Sequence, residues 1–121
     1  MARFFLRAAP ETIPLTERRS STRYPAATGR LFRIESPDGA TLAHGVLENA
    51  SATGVRLLTA RACMPGPAVL VPLPPHALAG RRFPFKVERV SAQGGGGASI
   101  AGPFEPPISD GEARALAEVT P

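Results

Sequence analysis

Short runs of apolar residues, separated by proline and glycine, dominate the pattern of this chain. In the stretch FPFKVERV, Phe85 and Val87 flank the charged Lys86. Side chains of a β-strand point alternately to its two faces, so this alternation predicts strands with one buried face. Six runs have suitable length and flanking residues: Thr28–Glu35, Thr41–Glu48, Val55–Thr59, Ala68–Leu73, Phe83–Val90 and Ala98–Phe104.

Six short strands in one small domain leave exposed edges unless the sheet curls and closes. The sequence therefore predicts an all-β fold, a small six-stranded antiparallel β-barrel. A helix should follow, because Ser109 and Glu112 have the spacing of a capping box and Ala113, Leu116 and Ala117 share one face. We predict that this C-terminal α-helix covers one end or face of the barrel.

Composition fits one soluble domain. The chain has 121 residues, 43% of them hydrophobic, which is enough for one core but not for two. No window approaches the roughly 18 uninterrupted apolar residues of a transmembrane helix, so we expect no direct membrane insertion. The single cysteine, Cys63, cannot form an internal disulfide, which favours a reducing, cytoplasmic location. We expect it to lie in or near the core.

Charge and chemistry argue for binding rather than catalysis. The formal net charge of +4 favours an anionic partner, although it falls short of the dense basic face of a nucleic-acid binder. The histidines, His44 and His76, lack ligand spacing, and we expect them to be structural or surface residues. The chain carries no nucleophile-elbow, zinc or phosphate-loop motif. We predict that the protein is not an enzyme and needs no metal or cofactor.

Two turns are explicit in the sequence. QGGGG, at residues 93–97, should join the last two strands, and SPDG, at residues 36–39, should reverse the chain between the first two. Residues across that first hairpin then pair when their numbers sum to about 75. Asn49 should lie opposite about Ala26, three residues from Arg23 and near 10 Å away at about 3.3 Å per residue. The turn alone therefore predicts that Arg23 and Asn49 are neighbours.

Both neighbouring segments carry binding chemistry. RRSSTRYP, at residues 18–25, supplies forked cationic side chains, which suit phosphates and guanine edges. In NASATG, Asn49 offers an amide, Ser51 a hydroxyl, and Gly54 a backbone free to adopt positive φ. An ordinary surface turn would have the same residue types, so this segment alone does not establish a site.

Together the two segments resemble the PilZ domain family. Its pattern is R-x-x-x-R before the first strand, then [D/N]-x-S-x-x-G at the end of the second. Here these positions are Arg19, Arg23, Asn49, Ser51 and Gly54. MPGPAVLVPLP is similar to the family's fourth strand, FPFKVERV to its fifth, and ASIAGPFEPP to its closing strand.

The resemblance covers residues 17–119 as a PilZ domain and leaves residues 1–16 as an N-terminal arm. It implies a small β-barrel that binds cyclic di-GMP, a bacterial second messenger with two guanines and two phosphates. It also implies a receptor that changes conformation on binding. Because we find no second domain in the chain, we expect the signal to pass through a protein partner that the sequence does not identify.

The same resemblance assigns roles to the motif residues. Arg19 and Arg23 would form forked contacts with guanine O6 and N7 or with phosphate oxygens, and stack on base faces. Asn49 and Ser51 would receive a guanine edge. Gly54 would let the backbone turn without a side chain that fills the pocket.

Arg18 stands directly before the motif. Adjacent side chains in an extended segment point to opposite sides, so Arg18 can address a face that Arg19 cannot. A third arginine would help to bind a stacked pair of cyclic di-GMP molecules, which carries four negative charges. We also expect the polar segment before the first strand to be mobile without ligand and to fold onto the barrel when ligand binds.

Two other functions remain open. A PilZ-like barrel that no longer binds nucleotide could serve as a protein-interaction module. A basic barrel could also bind RNA or single-stranded DNA, but that function needs surface aromatic residues for base stacking. The chain has one tyrosine and no tryptophan, and its phenylalanines fall in strand patterns. We therefore expect no nucleic-acid partner.

Overall fold

The computed structural model of the protein describes residues 21–27 and 29–118. Within them the chain forms eight strands, a single 3₁₀ turn and a C-terminal helix. The strands are β1 (Tyr24–Pro25), β2 (Leu31–Glu35), β3 (Thr41–Ala50), β4 (Gly54–Thr59), β5 (Gly66–Pro72), β6 (Phe83–Val87), β7 (Arg89–Ala92) and β8 (Ala98–Pro103). The 3₁₀ turn is Gly94–Gly96, and the helix, α1, is Asp110–Ala117.

The strands form one antiparallel sheet that curls until its ends nearly meet. The strand order is β6-β5-β2-β3-β4-β8-β7, and β1 adds to β3 beside β2. Only Glu88 separates β6 from β7, so one bent stretch of chain pairs with β5 at one end and with β8 at the other. A bridge between Phe85 and Phe104 and a 2.9 Å bond from Glu88 N–H to the Ala101 carbonyl bring the two edges together.

The predicted all-β barrel with a C-terminal helix is therefore confirmed, whereas the predicted number of strands is not. Two differences raise it from six to eight. The run predicted as one strand, Phe83–Val90, bends at Glu88 and forms both β6 and β7. The short strand Tyr24–Pro25 lacks any alternating pattern, and only its pairing with Asn49 and Ala50 defines it.

The core forms because side chains along each strand point alternately into the barrel and out to solvent. Inward-facing apolar side chains fill the barrel, and the largest of these fully buried side chains are Phe32, Phe85, Phe104, Ile34, Leu57, Leu70 and Ile100. Cys63 is buried as expected, and this burial raises the pKa of its thiol. The inward positions thus form one continuous hydrophobic cluster.

Helix α1 packs against this core as the sequence predicted. The amide of Glu112 donates to Ser109 Oγ at 3.0 Å and the amide of Ser109 donates to Glu112 Oε1 at 2.9 Å, which completes the capping box. Ala113, Leu116 and Ala117 are all buried. His76, also buried, bonds through Nε2 to the Leu116 carbonyl at 3.0 Å and ties a loop to the helix. In the described residues, no helix is long and apolar enough to cross a membrane.

Both predicted turns are confirmed. The amide of Gly39 donates to the Ser36 carbonyl at 2.9 Å, which closes the first turn, and residues 93–97 connect β7 to β8. The pairing places Asn49 opposite Pro25, one residue from the predicted Ala26. The register of pairing with β3 shifts between β1 and β2, but the observed partner of Asn49 still differs from the predicted one by only one residue. The first turn therefore brings the two predicted motif segments together.

The barrel closes over a glycine. Gly102 lies in β8 where the chain bends between β6 and β7, and a Cβ atom added there would lie 1.6 Å from the Lys86 carbonyl oxygen. That oxygen belongs to the backbone, so it cannot move aside as a flexible side chain could. Only glycine fits at this position without displacing one of the two strands.

We predict that Gly102→Ala lowers the free energy of unfolding by at least about 2 kcal/mol, because the added methyl group overpacks the closure. Gly111→Ala is the matched control. Its Cβ would meet only Ser109 Oγ at 3.9 Å, so the change should be below about 1 kcal/mol and in the stabilising direction. Urea unfolding measures both variants. Equal midpoints for Gly102→Ala and the unmodified protein would contradict this account of the closure.

Candidate functional site

The predicted proximity of the two motif segments is confirmed by a direct contact. Arg23 Nη1 donates a hydrogen bond to Asn49 Oδ1 at 3.0 Å. Asn49 lies near the end of β3 and Arg23 directly precedes β1, so the pairing of these two strands sets their distance. A cationic fork and an amide therefore stand side by side on the barrel surface.

The arginine segment is the stretch RRSSTRYP, and its described part, residues 21–25, is held at two further points. Ser21 Oγ and Thr53 Oγ1 are 3.1 Å apart, which links the segment to the turn between β3 and β4. The Tyr24 hydroxyl donates to both carboxylate oxygens of Asp110, at 2.7 and 2.8 Å, and this carboxylate raises the pKa of Tyr24. The guanidinium of Arg114 lies 5.8 Å from the centre of the Tyr24 ring. These contacts anchor Arg23 between the turn and the start of α1.

Ser51 shapes the site from beneath rather than at its surface. Its side chain is buried, with only 3% of the residue exposed. Its hydroxyl accepts hydrogen bonds from the amides of Thr53 and Gly54 at 3.3 and 3.2 Å. The serine therefore stabilises the turn that presents Asn49, and in this conformation its oxygen faces the backbone.

Gly54 does not use the conformational freedom that the sequence offered. It is the first residue of β4, and its φ is not positive. Instead, a Cβ at this position would lie 3.2 Å from the carbonyl oxygen of Gly102. A side chain at Gly54 would therefore crowd the backbone of β8 next to Arg23.

A groove adjoins the Arg23–Asn49 contact. Its first part has a volume of about 190 Å³, and a neighbouring part of about 480 Å³ shares several of the same residues. Arg23 lines the first part, and Arg56, Glu88 and Arg89 line both. We call this surface the arginine groove, defined by Arg23, Arg56, Glu88 and Arg89 over a floor that includes Ala101.

Arginines of this groove differ from other arginines of the chain in their partners. Arg30, Arg33, Arg81 and Arg82 each hold a carboxylate oxygen at 2.5 to 2.7 Å. By contrast, Arg56 comes no closer than 3.9 Å to Glu48, with both side chains partly exposed, and donates to the Ser99 hydroxyl at 3.3 Å. Arg89 has no side-chain hydrogen bond or ion pair to any described residue. Among the described residues, the groove arginines therefore form no ion pair closer than 3.9 Å, although Glu88 also lines the groove.

Sequence reasoning missed Arg56 and Arg89. A signal for Arg56 existed, because it follows Gly54 by two residues and alternates with the inward Val55 and Leu57. Arg89 had no comparable signal, since it reaches the groove only through the bend at Glu88. The remaining predicted site residues, Arg18 and Arg19, lie outside the described residues, as do residues 1–16 of the predicted arm.

Other features of the described residues do not add a chemical centre. No group of three or more His, Cys, Asp or Glu side chains among them could hold a metal ion. His44 is exposed and His76 serves the packing of α1, as expected for surface and structural histidines. Comparison of the chain with protein-family models and with curated proteins found no match.

We predict that Ser51→Ala lowers the free energy of unfolding by about 1–2 kcal/mol, because the amides of Thr53 and Gly54 lose their buried acceptor. Ser91→Ala is the control, since Ser91 is exposed and its hydroxyl bonds to no described residue. That control should stay within about 0.5 kcal/mol. Thermal or urea unfolding tests the pair, and an unaffected Ser51→Ala would show that the turn does not depend on this hydroxyl.

Proposed function

We propose that this protein is a cyclic di-GMP receptor of the PilZ type. The observation that carries the proposal is the 3.0 Å contact between Arg23 and Asn49 at the edge of the arginine groove. An arginine fork, an amide and a cationic surface are the chemistry that guanine edges and phosphates require. The resemblance of Arg19, Arg23, Asn49, Ser51 and Gly54 to the family motif names the ligand.

Each side chain would have a defined part in binding. Arg23 would turn its fork from Asn49 to guanine O6 and N7 or to a phosphate. The Asn49 oxygen would then accept the N1–H or N2–H of a guanine, and its amide N–H groups would remain available. Arg19 would supply a second fork, and Arg18 would support a second, stacked copy of the ligand. Ser51 would hold the turn that presents Asn49.

The proposed receptor is a binding module, not an enzyme. It would act in the cytoplasm and pass its signal to a protein partner by moving the segment before β1. The contacts of Tyr24 with Asp110 and of Arg114 with the Tyr24 ring support this route, because they join β1, which directly follows that segment, to α1. A shift of the segment would then change the surface that α1 and β1 present.

We expect cyclic di-GMP to bind the unmodified protein and Arg23→Ala to bind it about 10- to 100-fold more weakly, since a forked arginine contact contributes about 1–3 kcal/mol. Arg61→Ala is the matched control. Arg61 donates to the Leu42 carbonyl near the start of β3, about seven residues or 23 Å along the strand from Asn49. Calorimetric titration measures all three proteins.

Absence of binding at tens of micromolar cyclic di-GMP would overturn the receptor function. A labelled oligonucleotide, titrated in parallel, should not bind. If the unmodified protein folds normally but binds neither ligand, a barrel that serves only as a protein-interaction module becomes the better explanation. Equal weakening by Arg23→Ala and Arg61→Ala would indicate general attraction of charge without a formed site.

Hydrogen exchange tests the proposed conformational response. We expect amides of residues 18–24 to exchange more slowly at saturating cyclic di-GMP, because the bound ligand would neutralise the neighbouring arginines and order their backbone. Amides of β2, on the far side of β3 from β4, provide the internal control and should not change. Unchanged exchange at residues 18–24 with ligand bound would mean that the site is rigid and preformed.

A further inference from the structure

We infer that Arg56 and Arg89 form a phosphate-binding cleft for the cyclic dinucleotide, beyond the motif residues. This inference rests on the proposed function. The ligand class is a phosphodiester, and the cleft lies within the arginine groove between β4 and β7. Neither arginine belongs to the segments that suggested nucleotide binding. Each reaches the groove from a different strand.

Strand register defines the shape of the cleft. Arg56 of β4 and Arg89 of β7 both pair with Ala101, which lies between them on β8. Their Cα atoms are therefore about two strand spacings, or roughly 10 Å, apart across the sheet. Paired residues point to the same face, so the two guanidinium groups flank the small side chain of Ala101.

Ala101 forms the floor of this cleft. It lies on the outer side of β8, because its neighbours in the chain, Ile100 and Gly102, pair with the core positions Leu57 and Val55. Only 5% of Ala101 is exposed, because this small side chain lies at the bottom of the groove between longer flanking side chains. A methyl group between two long cationic side chains leaves a trough that an anion can enter from solvent.

The electrostatics of the cleft match a phosphodiester ligand. Three arginines and Glu88 line the first part of the groove, which leaves a net formal charge of +2. One cyclic di-GMP molecule carries two negative charges, one on each phosphodiester. Arg89 has no charged partner among the described residues, and Arg56 holds only a neutral hydroxyl and a distant carboxylate. Phosphate oxygens would supply anionic acceptors, which neither fork has within hydrogen-bonding distance among the described residues.

Glu88 opposes this binding and so offers a test in the reverse direction. Its backbone amide closes the barrel by donating to Ala101, but its carboxylate bonds to no described side chain. The carboxylate lines the groove beside Arg89, where it repels an incoming phosphate. Removing its charge leaves the backbone contact in place. If Glu88 only supported the fold, neutralising its side chain would not strengthen ligand binding.

Titration of cyclic di-GMP into four variants tests the cleft. We expect Arg56→Gln and Arg89→Gln each to weaken binding about 10-fold, as the loss of a charge-assisted hydrogen bond would. Glu88→Gln should strengthen binding about two- to five-fold at low salt, and the gain should shrink at high salt. Arg61→Gln, which removes the same charge at the other end of β3, should bind like the unmodified protein.

The outcomes separate this inference from the proposed function. If the unmodified protein binds and Arg23→Ala weakens binding, but Arg56→Gln, Arg89→Gln and Glu88→Gln leave it unchanged, the cleft is overturned and the receptor function stands. If the unmodified protein binds no cyclic di-GMP, both fall together. Unfolding midpoints of the variants should match that of the unmodified protein, because none of these side chains is fully buried or closely ion-paired with a described residue.

Discussion

Close approach of three backbone segments at Gly102 is the constraint on which the rest of this structure depends. β8 lies there against the bend between β6 and β7 on one side and against Gly54 at the start of β4 on the other. A side chain at Gly102 would collide with the Lys86 carbonyl, so the barrel closes only with glycine at this position. The same closure brings Glu88 and Arg89 next to β8 and thereby creates one wall of the arginine groove.

The groove and the motif contact are therefore parts of one arrangement. The turn after β3 holds Asn49 through the buried hydroxyl of Ser51, and Arg23 reaches Asn49 because β1 pairs with β3. Among the described residues, Arg23, Arg56 and Arg89 form no close ion pair, while several arginines elsewhere are tightly paired. An anionic ligand would complete contacts that the protein itself leaves open.

Sequence reasoning succeeded where local rules decide the outcome. The capping box at Ser109 and the hairpin turn near Gly39 depend on residues within a few positions, and the turn also predicted the meeting of Arg23 and Asn49. It failed where distant segments decide. The bend at Glu88 follows from barrel closure, and the role of Gly54 follows from its approach to the carbonyl of Gly102. No local pattern carries that information.

The central claim is that cyclic di-GMP binds where the arginine segment, the turn after β3 and the arginine groove meet. The most direct test is a titration of ¹⁵N-labelled protein with cyclic di-GMP, followed by NMR. The account predicts that the largest shift changes fall on residues 18–25, 49–56, 88–91 and 99–103, including arginine side-chain signals. Largest changes on residues 41–44, at the end of β3 far from Asn49, or no change at saturating ligand, would contradict it.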